Sequence, residues 1–113
     1  MPKKAWWKQN SPEAISEAFQ EATVDAYDDH EQFMSLFYTI EEELDFPFTA
    51  KLAGDIVSIV GIEQSEHDSL GLDLVCETGG KRYLIAARSV EMTNELPEGQ
   101  IFLAAYLNWK SKF

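Results

Sequence analysis

The sequence predicts an α+β fold: an N-terminal acidic helical region, a small and strongly bent antiparallel sheet that is barrel-like (SH3-like), and a C-terminal helix. Three observations support this prediction. Apolar residues recur at helical spacing up to Leu44, runs rich in β-branched residues follow Pro47, and aromatic residues return at helical spacing after Gly99. A chain of 113 residues with 45% hydrophobic content can bury one core, so we treat residues 1–113 as a single domain.

The helical region is assigned to residues 12–45. Its start is predicted at Ser11-Pro12-Glu13, which combines a capping hydroxyl, a proline at the first helical position and an acid in the first turn. One apolar stripe then follows a 4-3-4 spacing through Ile15, Phe19, Ala22, Ala26, Phe33, Phe37, Ile40 and Leu44. The spacing fits one long helix or two. We favour a break near Asp28, because threonine, valine and aspartate lower helical propensity there, and Pro47 ends the region.

The sheet is assigned to residues 46–92. Gly54-Asp55 predicts a turn, Gly79-Gly80 predicts a two-residue hairpin, and residues 63–69 form a polar loop. The strands between them are predicted at residues 48–53, 56–62, 70–77 and 81–87. The segment 89–99 has no regular pattern.

The C-terminal helix is assigned to residues 99–112. Its aromatic residues share one face by their spacing: Phe102, Tyr106, Trp109 and Phe113. Such a stripe is typical of a core contact or of a homodimer contact, and both interpretations stay open.

The charge of the chain is strongly negative, at −11 with a pI near 4.4. This disfavours binding to nucleic acid backbones and to anionic membranes, which need a positive surface. Five of the nine cationic residues lie near the two ends beside tryptophan and phenylalanine: Lys3, Lys4, Lys8, Lys110 and Lys112. We expect these basic-aromatic termini to contact the acidic surface of the chain itself or a sister subunit, rather than lipid or nucleic acid.

The lone cysteine, Cys76, excludes an intramolecular disulfide and favours a reducing compartment. Its place in an alternating apolar row predicts a small core residue. No apolar run approaches the roughly 20 residues of a membrane helix, and the N-terminus lacks the apolar stretch of a signal peptide. The cytoplasm is the expected location.

Enzyme signatures are missing from the sequence. There is no glycine-rich phosphate loop, no G-x-S-x-G and no H-E-x-x-H. His30 and His67 stand among acids in polar segments, without a cysteine at ligand spacing, and are expected to be solvated. A catalytic function is not predicted.

The acidic residues are the most informative feature. Between Gln9 and Ala50 the chain has eleven carboxylates and no Lys or Arg. In a continuous helix, five of them would form an i, i+4 ladder: Glu13, Glu17, Glu21, Asp25 and Asp29. Four like-charge pairs of that kind cost about 1–2 kcal/mol in total. For the first three acids we favour a solvated helix face without a ligand.

A divalent cation is the partner that the remaining acids suggest. Asp25, Asp28 and Asp29 are related by three and four residues, and Glu31 follows closely. Ca²⁺ takes six to eight oxygen ligands in tolerant geometry, whereas Mg²⁺ demands an octahedron and Zn²⁺ prefers His or Cys. Aspartates at a helix break would supply carboxylates and backbone carbonyls together. Two further clusters, at residues 41–45 with Glu42 and Asp45 on one face and at residues 63–68, are alternatives, and none has the order of an EF-hand loop.

Several sequence elements resemble the CcbP-type calcium-binding family first described in cyanobacteria. The resemblance covers about residues 24–92, and the Phe-Pro-Phe element after an acidic helix is its most specific part. The matching elements are Asp25-Ala26-Tyr27-Asp28, Glu31-Gln32, Phe37-Tyr38, the run from Leu44 to Ala50, the run from Gly54 to Gly61, and Gly79-Gly80-Lys81-Arg82 with Ser89-Val90-Glu91 in the final hairpin. The segment after Gln100 has no counterpart in this resemblance.

The resemblance implies a small acidic protein that binds Ca²⁺ without EF-hands, as a buffer or sequestering protein and not as an enzyme. It implies Asp25, Asp28, Asp29 and Glu31 as first ligands, and Glu42 and Asp45 as a secondary set. Two other functions stay open from the residues. One is an acidic interaction module that imitates nucleic acid phosphates, and the other is a structural dimer whose acids bind no specific metal.

Overall fold

The computed structural model describes residues 5–113, which divide into two compact units. One unit is helical and comprises residues 5–44 and 98–113; the other comprises residues 45–97 and contains the sheet. Lys3 and Lys4, which belong to the predicted basic N-terminus, lie outside the described residues.

The helical unit has a 3-10 turn, Trp6–Gln9, and three α-helices: α1 (Pro12–Ala22), α2 (Asp29–Glu43) and α3 (Gln100–Lys110). The predicted start of α1 is confirmed, because Ser11 Oγ accepts a hydrogen bond from the Ala14 N–H at 3.1 Å and Pro12 occupies the first turn. Among the described residues, no helix is long and apolar enough to cross a membrane.

The predicted break near Asp28 is also confirmed. Helix α1 ends at Ala22, where Thr23 Oγ1 donates a 2.6 Å hydrogen bond to the Phe19 carbonyl, and α2 starts after Asp28. The i, i+4 ladder of acids is therefore interrupted. Only two of its like-charge pairs remain, those that join Glu17 to the glutamates one turn before and after it in α1, so the repulsion falls to roughly 0.4–1 kcal/mol.

The core of the helical unit forms where α3 packs against α1 and α2. The Phe33 and Tyr106 rings lie 6.1 Å apart, and Tyr106 and Trp109 are buried. The aromatic stripe of α3 is thus largely a core feature. Helix α3 begins after Gly99, whose φ of 83° and close approach to the Glu43 carbonyl leave no room for a Cβ.

The sheet has five antiparallel strands, in the spatial order β4-β3-β2-β1-β5. The strands are β1 (Phe48–Leu52), β2 (Asp55–Gln64), β3 (Leu72–Thr78), β4 (Lys81–Ala86) and β5 (Glu91–Met92). The four predicted strands and the hairpin at Gly79-Gly80 are present. Cys76 is fully buried in β3, and this burial raises the pKa of its thiol, as expected for a core residue.

The predicted strongly bent, barrel-like (SH3-like) sheet is wrong, because this sheet is open. Strands β4 and β5 are its two edges and do not pair with each other. A barrel needs its edge strands to close on one another with a consistent stagger. Strand β5 has two residues and pairs only with Ala50 and Lys51 of β1, so it cannot bridge to β4. It lies in the segment 89–99 that the sequence left without regular structure.

Candidate metal centre

The connection between α1 and α2 carries the first predicted ligands. Asp25 lies in the turn that follows α1 and has a left-handed backbone (φ 65°), a conformation that aspartate tolerates better than most residues. Asp28 is the residue that caps α2, and Asp29 and Glu31 lie in the first turn of that helix. All four side chains are exposed to solvent. The helix break therefore brings these acids to one short, hydrated segment.

Asp28 is the residue of this set that makes hydrogen bonds to the start of α2. Its Oδ1 accepts a 2.8 Å hydrogen bond from the Glu31 N–H, and its carbonyl accepts one from the Gln32 N–H at 2.9 Å. The hydrogen bond from the Glu31 N–H is the main cause that lowers the pKa of Asp28, and the nearby His30 makes a smaller contribution in the same direction. The carboxylate is therefore ionised at neutral pH. A carboxylate has about four acceptor positions, so capping α2 leaves capacity for a cation.

Backbone carbonyls at the end of α1 add neutral oxygens to this segment. The last turn of α1 has no basic residue, and its C-terminal carbonyls carry the negative end of the helix dipole. Thr23 O accepts a hydrogen bond from the Ala26 N–H at 3.0 Å, which folds the chain back at this end. Carboxylates and carbonyls together are the hard oxygen donors that Ca²⁺ binds.

The side chains do not form a finished metal cage. Within residues 5–113, no three His, Cys, Asp or Glu side chains are grouped closely enough to hold an ion. Asp29 and Glu31 are two residues apart on a helix, so they do not face each other. Coordination at this connection would need side-chain movement, backbone oxygens or water to complete it.

The secondary residues fall in different units. Glu42 is exposed in the last turn of α2. Asp45 belongs to the sheet unit, where it lines a cleft of about 350 Å³ together with Thr49, Ser58 and Glu95. Glu95 was not among the predicted ligands. It lies 50 residues after Asp45 in a segment without a periodic pattern, so no local signal connects the two.

The acidic segment at residues 63–68 comprises the end of β2 and the turn that follows it. In this turn Ser65 Oγ accepts from the His67 N–H at 3.1 Å, and Asp68 Oδ1 accepts from the Leu70 N–H at 3.0 Å. Such local bonds are typical of a tight polar turn.

A family model described as "Calcium binding" (Calci_bind_CcbP) matches residues 16–110 of the chain. The chain belongs to the CcbP family of calcium-binding proteins. The resemblance in the sequence and the prediction of calcium binding are thereby confirmed. The match also includes α3, which the resemblance had not covered.

Two solved structures share the fold of this CcbP-family chain. The crystal structure of Anabaena CcbP has a TM-score of 0.72 and 20% identity, and the alignment covers 90% of this chain and 93% of that one. A second structure, a calcium binding protein in its calcium-binding form, has a TM-score of 0.65 and 19% identity, covering 96% and 97%. No curated protein matches the sequence.

Proposed function

We propose that this chain binds Ca²⁺ at the connection between α1 and α2, with Asp25, Asp28, Asp29 and Glu31 as its side-chain ligands. The observation that carries the proposal is the helix break itself. It leaves four exposed carboxylates within the seven residues 25–31, in the segment that follows the carbonyl end of α1 and in a stretch of sequence without any Lys or Arg. The role we propose is buffering or sequestration of Ca²⁺, not catalysis.

Binding would proceed by electrostatic capture and then direct coordination. The acids repel one another in the free protein, and a divalent cation relieves this repulsion. Because the side chains are not gathered into a cage beforehand, binding has to order them, which reduces the affinity. We expect a dissociation constant of about 10⁻⁷ to 10⁻⁴ M, the range of sensor and weaker calcium sites.

Selectivity should favour Ca²⁺ over Mg²⁺. The donors available are carboxylates and carbonyls on a short, exposed connection, and these suit the variable geometry of six to eight ligands around Ca²⁺. Mg²⁺ keeps its water shell and needs a stricter octahedron, so it should bind here more weakly.

We propose Glu42 and Asp45 as secondary ligands, each within its own unit, and in the sheet unit the cleft supports a site formed by Asp45 with Glu95. Asp45 and Glu95 line one cleft with two hydroxyl-bearing residues. Two carboxylates would hold a cation less tightly than the four at the helix break, so this site should fill second.

Calorimetric titration with Ca²⁺ at physiological ionic strength tests the proposal. The wild-type protein should give a saturable, stoichiometric heat, and the variant Asp28→Asn/Asp29→Asn should lose most of it. Asparagine caps helices as well as aspartate does, so this variant keeps α2 while removing two charges. The matched control is Glu13→Gln/Glu17→Gln, which removes two charges from α1 and should retain the heat. Equal losses in both variants would mean that net charge, and not a site, controls binding.

A homodimer through α3 is a separate proposal, and little of the aromatic stripe of α3 is exposed for such a contact. Tyr106 and Trp109 are buried and Phe102 is partly buried, whereas Phe113 is 59% exposed and is the most accessible aromatic residue of the stripe. Sedimentation velocity of the full chain and of Phe113→Ser tests this proposal, because a dimer built on this surface should dissociate in the variant.

A further inference from the structure

The helical unit has a cleft of its own, and the charged residues that line it are positive, in contrast to the acids of the proposed calcium site. It has a volume of about 580 Å³ and is bordered by the 3-10 turn Trp6–Gln9, α1, and α3 with the residues that follow it. Ile15, Phe19 and Trp109 supply apolar surface, and Lys8 and Lys112 supply two ammonium groups. The cleft is thus apolar inside and positive at its edge.

Among the described residues, no Asp or Glu lines this cleft, although the chain has 20 acidic residues and nine Lys and Arg residues. In the sheet unit, Arg82 Nε forms an ion pair with Glu77 Oε2 at 2.7 Å, and this pair involves neither lysine of the cleft. The two ammonium groups are exposed and therefore available to an anion. They would also repel Ca²⁺, so this cleft is independent of the proposed calcium site.

The polar border of the cleft is partly fixed by hydrogen bonds. The amides of Asn10 and Gln100 exchange two hydrogen bonds, at 2.9 Å and 3.2 Å, and Asn10 also donates to the Trp7 carbonyl at 3.1 Å. These bonds connect the segment that carries Lys8 to α3. One wall of the cleft is therefore preorganised, which lowers the cost of binding a ligand.

We propose that this cleft binds a small amphipathic carboxylate, a molecule with an apolar aliphatic or aromatic body and one anionic group. The volume lies within the 300–1,000 Å³ typical of small-molecule sites, and such sites combine apolar walls with a few polar groups. The body of the ligand contacts Ile15, Phe19 and Trp109, and its carboxylate pairs with Lys8 and Lys112. Charge complementarity selects an anion, since the lining residues include two cations and no acid.

Calorimetry with sodium decanoate, below its critical micelle concentration and at physiological ionic strength, tests this site. Phenylacetate is the aromatic probe, and decanol is the uncharged analogue of decanoate. The titrations are done with a chelator, so that the result does not depend on Ca²⁺. We expect saturable binding of one decanoate or phenylacetate per chain and at least roughly fivefold weaker binding of decanol, since two ion pairs are lost.

Two variants make the test specific. Lys8→Gln/Lys112→Gln should weaken decanoate at least roughly fivefold, whereas the control Lys51→Gln/Lys81→Gln, which removes two exposed lysines from the sheet unit, should not. Ser16→Phe adds a ring at an exposed position of the lining and should abolish binding without unfolding α1. The absence of saturable heat, equal binding of decanol, or unchanged affinity in Lys8→Gln/Lys112→Gln would overturn the proposal. Calcium titrations of the same variants should stay normal.

Discussion

Asp28 combines an observed role in structure with a proposed role in ion binding. Its carboxylate starts α2 through the Glu31 N–H, and it is also a proposed calcium ligand. The replacement Asp28→Ala should therefore lower both the urea midpoint and the calcium affinity. Asp28→Asn should lower the calcium affinity but reduce the urea midpoint less than Asp28→Ala does, because asparagine preserves the cap and loses only the charge. Parallel urea melts and calcium titrations separate the two effects, and equal urea midpoints for the two variants would contradict the capping role.

The pH dependence of stability provides a second prediction at this residue. The pKa of Asp28 is lowered in the folded protein, so ionised Asp28 contributes stability that is present above the ordinary aspartate pKa. That contribution is lost as pH falls through the lowered value. Compared with Asp28→Asn, the wild type should therefore lose stability between neutral pH and the acid range. Urea midpoints of both proteins over this range measure it, and a difference that does not change with pH would contradict it.

At the level of elements, Gly99 is the position where a small change should have a large effect. It combines a left-handed backbone with contact to the Glu43 carbonyl, where a Cβ would collide. Gly99→Ala should destabilise the helical unit by at least about 1–3 kcal/mol. Gly54→Ala is the control with positive φ but free space, so its smaller loss isolates the collision. Urea denaturation of the two variants compares them.

Most elements were predicted from interactions that are local in sequence, and the features that were missed depend on contacts between distant residues. Ser11-Pro12 and the aspartates at the helix break interact with residues only a few positions away, so the sequence reveals them. Whether a sheet closes depends on pairing between distant strands, which β5 is too short to provide. Glu95 was not predicted beside Asp45 for the same reason, because the two residues line one cleft but lie far apart in the sequence. The calcium ligands were implied by the match of sequence elements to the family, and they stay a prediction.

For the whole molecule, a net charge of −11 links ion binding to stability, because the like charges of the folded chain repel one another and a bound cation reduces that repulsion. A cation that binds the folded state stabilises it by mass action, about 2.7 kcal/mol at one hundred times the dissociation constant. Ca²⁺ should raise the melting temperature, Mg²⁺ should raise it less, and a chelator should reverse the shift. Thermal melts with each ion check this, with sodium chloride at matched ionic strength as the control for simple screening.

The most direct test of the calcium site is an amide NMR titration of the full chain with Ca²⁺. We expect saturable shifts concentrated in residues 23–31, with smaller and later changes around Asp45 and Glu95. Asp28→Asn/Asp29→Asn should remove the first set and leave the second. Shifts centred on residues 63–68 or on the sheet unit from the first addition of Ca²⁺, with residues 23–31 unchanged, would contradict a calcium site at the helix break.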